Sequence, residues 1–238
     1  MGGTITEEAA GIDPATAASL LGWWLEAGVD VAIAEEARDW RRAAKPPAQA
    51  PAPTSMAERP ADLAAFRAWM ESASGLPLDR PGSRRVLPIG AEGAPVMLLA
   101  DFPSAQECEA GRPMAGDAWQ LATRMLAAIG IDADAAYLAT LSCFDAPGAR
   151  LDGANLERCA EVARDHVRLA KPERLLLLGD AAAKALTGQP LASARGRVHR
   201  IEGVRAVATF HPRWLLQRPS DKALAWKDLL LLMSEEDR

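Results

Sequence analysis

The sequence has no long hydrophobic run and few cysteines, and both absences narrow the class of protein. A membrane-spanning helix needs about 20 consecutive apolar residues, and no stretch of the 238 residues approaches this. The N-terminus, MGGTITEEAA, is acidic where a secretory signal is basic and then apolar. Cys108, Cys143 and Cys159 are too few for a disulfide framework and form no CxxC pair. We therefore expect a cytoplasmic protein with reduced thiols and no membrane association.

The sequence also lacks an excess of positive charge, since 27 basic and 32 acidic residues give a net charge of −5. Binding to a phosphate backbone depends on lysine and arginine. The acidic excess is local: residues 1–42 alone sum to −5, and residues 43–238 sum to zero. Residues 195–218 contain six arginines and one acid. This strip is either a DNA-binding surface or an ordinary solvated face. The arginines expected to contact DNA are Arg195, Arg197, Arg200, Arg213 and Arg218.

Composition divides the chain into three parts. Apolar residues at helical spacing within an acidic stretch predict an acidic helical arm over residues 1–42. They are Leu20, Trp23, Trp24 and Ala27. Residues 43–60 hold five prolines and six alanines without apolar periodicity, which is typical of a semi-extended linker. Residues 61–238 form the main domain.

Short apolar runs alternate with helical patterns in the main domain. The apolar runs lie at 95–100, 136–141, 174–179 and 204–209, and the helical patterns at 61–74, 117–129, 155–169, 180–187 and 220–233. Continuous apolar strands separated by helices indicate a parallel sheet with both faces covered. We predict an α/β fold, a three-layer sandwich with a central four-stranded parallel sheet flanked by helices, plus the N-terminal helical arm. Ligands of such sheets bind beyond the carboxyl ends of the strands.

The loops that follow the predicted strands contain the candidate functional residues. They offer an acid (Asp101), a thiol (Cys143), a helix-opening glycine (Gly179) and a histidine (His211). His211 is followed by proline, which fixes the turn that presents the ring. His211 is therefore the strongest functional candidate, and the alternative is a histidine that satisfies a buried carbonyl group.

Three segments of the main domain match a known family in order and spacing. They read ADFPSAQECEAGRPMAG, KPERLLLLGDAAAKALTG and ATFHPRWLLQRPSDKALAWKDLLLL. On the basis of these three segments, the sequence from Leu76 to about Met233 resembles the uracil-DNA glycosylase superfamily, in particular a bacterial branch related to the iron–sulfur type. The resemblance implies an enzyme that flips a deoxyuridine out of DNA and hydrolyses its glycosidic bond.

The resemblance also implies roles for individual residues. It implies Asp101 and His211 as catalytic residues, with Asp101 in place of the family's longer glutamate. The residues it implies for substrate binding are Pro103, Ser104, Met114, Thr140 and Phe144. Ser104 stands where the family has glycine, Met114 where it has a stacking phenylalanine, and Thr140 where it has a base-reading asparagine. A methionine has no flat face and a hydroxyl makes no bidentate amide contact, so we expect altered contacts with uracil.

Iron–sulfur members of the family supply four cysteines to their cluster. The corresponding positions here read Ala73, Leu76, Phe144 and approximately Cys159. We therefore expect no iron–sulfur cluster, no other metal and no cofactor.

Three functional hypotheses stay open from the sequence. The first is a uracil-DNA glycosylase-like protein of DNA repair or replication with weak, altered or lost base excision. The second is a non-catalytic interaction module of a repair or replication complex, with a protein partner bound through the acidic arm. The third is an active glycosylase for a different damaged base. DNA is the expected partner in the first and third, and a monomer is the expected state.

Overall fold

The computed structural model describes residues 60–80, 82–145 and 153–234, together with Thr16, Ala18 and Ser19. These three isolated positions are helical and exposed. The rest of the acidic arm and almost all of the Ala/Pro-rich linker lie outside the described residues, so both remain predictions. No helix within the described ranges is long and apolar enough to cross a membrane.

Helices and strands alternate through the described chain. Its strands are β1 (Met97–Ala100), β2 (Tyr137–Thr140), β3 (Arg174–Leu178), β4 (Val198–Ile201) and β5 (Val204–Thr209). Its helices are α1 (Leu63–Ser72), α2 (Ala105–Ala110), α3 (Gly116–Ala128), α4 (Gly153–Ala170), α5 (Asp180–Thr187), α6 (Leu191–Ala194), α7 (Pro212–Gln217) and α8 (Lys222–Met233). Short 3-10 helices lie at Ala133–Ala135 and Pro219–Asp221.

The described strands form one five-stranded sheet in the order β2-β1-β3-β5-β4. β1, β2, β3 and β5 run parallel, and β4 pairs with β5 in the antiparallel direction. The α/β class is confirmed, as are the four parallel strands, but the prediction of a four-stranded parallel sheet is wrong because it omits β4. β4 reads VHRI and is partly exposed at the sheet edge, so it has no apolar run by which to recognise it.

Each face of the sheet is covered by helices. Successive residues of a strand point to opposite faces. Leu99 and Leu177 therefore pack in the layer of α1, α4 and α5, whereas Leu98 and Leu176 pack in the layer of α3 and α8. Because both faces are covered, the four leucines of β3 are at most 2% exposed. This explains why the strand reads as an unbroken apolar run.

A buried polar contact joins α1, β2 and α4. Tyr137 Oη and His166 Nε2 lie 2.6 Å apart, and Arg67 Nε donates a hydrogen bond to Tyr137 Oη at 3.3 Å. Burial lowers the pKa of His166 to about 3, and the nearby charge of Arg67 contributes in the same direction. The imidazole of the folded protein is therefore neutral at ordinary pH.

The substitution His166→Gln is expected to flatten the pH dependence of stability. The unfolded imidazole gains a proton near pH 6.5, whereas the folded one does so only near pH 3, so stability falls as the pH falls through 6.5. One pKa unit is worth about 1.4 kcal/mol, so His166 removes about 2 kcal/mol at pH 5. Urea unfolding of both proteins at pH 7.5 and pH 5 measures the difference, because their other titrating groups are shared. If the wild type and His166→Gln lose the same free energy of unfolding between pH 7.5 and pH 5, this prediction is wrong.

Candidate active site

The carboxyl ends of β1, β3 and β5 border a cavity of about 720 Å³. Its lining residues are Asp101, Gly179, Asp180, Leu191, Ala192, Arg195, Phe210, His211, Arg213, Trp214 and Gln217. The two residues implied to be catalytic, Asp101 and His211, thus lie in the wall of one cavity. This edge is where parallel sheets bind their ligands.

His211 is held in one orientation at the start of α7. Its Nδ1 accepts a hydrogen bond from the backbone N–H of Arg213 at 3.1 Å, so the ring caps the helix that begins at Pro212. Burial, together with a smaller effect of the charge of Arg213, lowers the pKa of His211 to about 3. A neutral ring whose Nδ1 accepts carries its proton on Nε2. That Nε2 is buried without a hydrogen-bond partner in the described part of the chain, so the ring retains one unused donor.

Asp101 lies against the N-terminus of α5. The backbone N–H of Ala182 donates to Asp101 Oδ1 at 2.7 Å. Gly179 leaves room for the carboxylate, because a Cβ atom there would lie 2.1 Å from Asp101 Oδ2. Burial raises the pKa of Asp101 to about 6, against the opposing effects of the Ala182 hydrogen bond and the charge of Arg213. Above that pH the ionised carboxylate can accept a hydrogen bond from water or substrate.

A partly buried ion pair connects α2 and the loop before it with α7. Arg213 Nη1 lies 2.7 Å from Glu107 Oε2, and Arg213 Nη2 donates to the carbonyl oxygen of Phe102 at 3.0 Å. The same Glu107 oxygen accepts from the backbone N–H and the hydroxyl of Ser104, which completes a capping box at the start of α2. Asp101 directly precedes Phe102, and His211 directly precedes α7. The contacts of Arg213 with Phe102 and Glu107 therefore hold Asp101 and His211 in a fixed relative position.

A second buried ion pair lies beside the cavity. Arg195 Nε and Nη2 lie 2.8 and 2.7 Å from Asp228 Oδ2, which also accepts from Thr209 Oγ1 at 2.7 Å. Burial raises the pKa of Asp228, and the hydrogen bonds from Thr209 and Arg195 oppose this rise. The Arg195 guanidinium also lies over the Phe210 ring, 4.2 Å from its centroid. Arg195 is thus engaged inside the protein.

The five arginines predicted to contact DNA do not form one patch. Arg195 and Arg213 take part in the two ion pairs described above. Arg200 lies opposite the first residues of β5, at the far end of that strand from the cavity. Arg197 and Arg218 are exposed nearer the cavity. A role of these residues in DNA binding stays a prediction.

The residues implied to bind the base do not line this cavity. Pro103, Met114, Thr140 and Phe144 are buried, and Ser104 caps α2. Met114 packs in the core layer of α3 and α8 with a φ of +54°, which is uncommon for a residue with a side chain. The role of these five residues in substrate binding likewise stays a prediction.

The residues that the resemblance places at the cluster positions do not fit an iron–sulfur cluster. Ala73, Leu76 and Phe144 have no metal-binding side-chain atom, and they pack in the apolar layer that contains Cys159. Burial raises the pKa of the Cys143 and Cys159 thiols to about 12, so neither is a thiolate at neutral pH. Across the described ranges, no group of three or more His, Cys, Asp or Glu side chains is arranged to hold a metal ion.

Three residues of this region were missed by sequence reasoning: Glu107, Trp214 and Asp228. The S-x-x-E spacing that ends at Glu107 is that of a capping box, so this signal is present in the sequence. Trp214 stands two residues after Pro212, and no local pattern marks it as part of the site. Asp228 lies 33 residues from its partner Arg195, and no local pattern relates the two.

Comparison with known proteins confirms the resemblance seen in the sequence. The family model of the uracil DNA glycosylase superfamily matches residues 87–230. A type-4 uracil-DNA glycosylase of Pyrobaculum aerophilum is 28% identical over 181 residues, which cover 71% of this chain and 92% of that protein. A type-4 uracil-DNA glycosylase of Archaeoglobus fulgidus is 25% identical over 142 residues, which cover 55% of this chain and 71% of that protein.

Proposed function

Because the chain belongs to the uracil DNA glycosylase superfamily, we propose that it is a DNA repair protein that excises uracil much more slowly than its relatives do. Its substrate class is then DNA, and the reacting bond is the glycosidic bond of a flipped nucleotide. The unused Nε2–H of a neutral His211, in a residue that lines the same cavity as Asp101, carries this proposal.

The geometry supports hydrolysis of a glycosidic bond. A water oxygen bonds to C1′ of the sugar, the bond from C1′ to the base nitrogen breaks, and the base leaves with that electron pair. Negative charge grows on the departing base, and a fixed neutral donor such as the Nε2–H of His211 stabilises it. Asp101, ionised above about pH 6, can accept a hydrogen bond from the attacking water. The proton released by that water passes to the base or to solvent.

Three departures from the family pattern support a slow reaction. The Asp101 carboxylate stands on a stem one methylene shorter than a glutamate, which shifts a water that it positions. Met114 and Thr140 replace the stacking and base-reading residues, and both are buried away from the cavity. Misplacement of a reacting group by about 1 Å can cost about 100-fold in rate.

We expect uracil excision about 100-fold or more below that of the Pyrobaculum aerophilum relative, because the water and the base are both less well positioned. The assay uses single-stranded and duplex oligonucleotides with uracil, hypoxanthine or xanthine at pH 8, where Asp101 is ionised, and detects abasic sites by alkaline cleavage. The variant Asp101→Glu, which restores the longer stem at a residue that lines the cavity, should excise uracil faster. His211→Ala should lose the activity and controls for a contaminating enzyme.

Other outcomes of this assay separate the three hypotheses. Uracil excision as fast as that of the relative contradicts the proposal. Preferred excision of hypoxanthine or xanthine favours a glycosylase for a different base. Absence of abasic sites with the wild type and Asp101→Glu alike favours an interaction module.

A further inference from the structure

An aromatic column runs from the cavity towards the surface. The rings of Phe210 and Trp214 are nearly parallel, with an interplanar angle of 11° and centroids 6.3 Å apart. The guanidinium of Arg195 lies 4.2 Å from the Phe210 centroid, and that of Arg218 lies 4.8 Å from the Trp214 centroid. Phe210 precedes α7, Trp214 lies within it and Arg218 directly follows it, so this short helix and its flanking residues supply three members of the column.

Trp214 is both fixed and accessible within this column. Its Nε1–H donates a hydrogen bond to Asp221 Oδ2 at 2.7 Å, which fixes one edge of the indole. The residue is nevertheless 40% exposed, and it lines the same cavity as Asp101 and His211. A large aromatic surface held in one orientation beside a cavity is pre-organised for a flat ligand.

Arg218 covers the indole without being committed to another partner. In the described part of the chain, the contact of its guanidinium is with the Trp214 ring, and no carboxylate pairs with it. Arg195, at the other end of the column, is by contrast held by Asp228. A flat group that prefers the indole can therefore displace the Arg218 guanidinium at little cost.

We infer that the Trp214 indole is a stacking platform for an unpaired nucleobase of DNA, adjacent to the nucleotide whose glycosidic bond reaches His211. Arg218 then pairs with a neighbouring phosphate, for which a guanidinium offers parallel N–H donors. This inference rests on the proposed function for its ligand class. Stacking accepts any base because every base has a π face, so the platform contributes affinity without sequence preference.

Binding to two single-stranded oligomers of equal length separates stacking from charge. One is oligothymidylate, and the other has the same phosphates but a tetrahydrofuran abasic residue at every position. Both carry an end label, and fluorescence anisotropy with the full chain gives their affinities. Trp214→Ala is expected to weaken binding of oligothymidylate about tenfold, the effect of losing one base–aromatic stack. Binding of the baseless oligomer should not change, and Trp214→Phe should retain most of the affinity for oligothymidylate.

Trp226→Ala is the matched control. Trp226 is 41% exposed, against 40% for Trp214, but it lies on α8 and does not line the cavity. This substitution should leave both affinities unchanged. Arg218→Ala should weaken binding of both oligomers by a similar factor, because a phosphate contact does not depend on the base.

Three results overturn the platform: oligothymidylate bound equally by wild type and Trp214→Ala, a loss of equal size on both oligomers, or no binding of either by the wild type. They do so whether or not the excision assay detects abasic sites. Base-dependent binding that is lost in Trp214→Ala supports the platform even if that assay detects none. The binding experiment can therefore overturn the Trp214 platform without overturning the proposed glycosylase activity, and the excision assay can do the reverse.

Discussion

Gly179→Ala is expected to destabilise the protein by about 3 kcal/mol or more, because strained backbone and overpacking each cost about 1–3 kcal/mol. The added Cβ atom would lie 2.1 Å from Asp101 Oδ2. The φ of Gly179 is +107°, a conformation that residues with a side chain rarely adopt. The carboxylate has to move, so it loses its hydrogen bond from Ala182, and base excision should fall with it. Urea unfolding and the excision assay measure the two effects.

Gly188→Ala is the control for a glycine with an ordinary left-handed backbone and no side-chain clash. Gly188 ends α5 with a φ of +73°, and a Cβ atom there would have no neighbour within 4 Å. It should therefore cost only about 1 kcal/mol. Adding Asp101→Ala to Gly179→Ala removes the clashing carboxylate and should recover part of the loss, as expected for residues in contact. Equal losses at the two glycines would show that the contact with Asp101 is not the cause.

Arg195→Ala should cost about 3–5 kcal/mol of stability, the usual effect of leaving one member of a buried ion pair alone. The side chain of Asp228 is 2% exposed, and without the guanidinium its hydrogen bonds come from the Thr209 hydroxyl and the Gly196 backbone N–H, neither of which carries a charge. The Phe210 ring would lose the cation that lies over it. Chemical unfolding at pH 8 measures this loss.

Arg197→Ala is the matched control for Arg195→Ala, because it removes an exposed arginine two positions away. It should change stability by less than about 0.5 kcal/mol. The deficit of Arg195→Ala should shrink at pH 5. Arg195 lowers the pKa of Asp228, so its removal raises that pKa further, and protonation of the folded state then relieves the unpaired charge as the pH falls. A deficit that grows towards acid pH is the opposite of this expectation.

The elements predictable from sequence are those whose signal lies within a few residues. Every residue of β1 and β2 is buried, so each strand reads as a short apolar run whatever lies beside it. β4 is a strand because β5 pairs with it, and its own residues do not reveal this. Likewise, the proline after His211 is a local signal, whereas the partner of Asp228 is distant in the sequence.

The same distinction explains the arginines and the implied base-binding residues. A count of charges along the chain finds a basic strip, but the acids that engage Arg195 and Arg213 belong to α8 and α2. The resemblance places Met114 at a motif position, but burial in the layer of α3 and α8 depends on the packing of distant residues. Local sequence patterns therefore predict the loops that border the candidate site. The ion-pair partners of Arg195 and Arg213 depend on the whole fold and are not predictable from those patterns.

The strand order has a consequence for synthesis on the ribosome. β1 is an inner strand, and its second neighbour, β3, begins only at Arg174. At about 5–20 residues per second, β1 is made roughly 4–15 s before β3, and meanwhile its apolar edge has no partner on that side. One edge of β3 likewise has no partner strand until β5, which begins at Val204, has been synthesised. An open apolar edge invites aggregation, so a nascent chain that stalls before Val204 should need a chaperone to stay unaggregated.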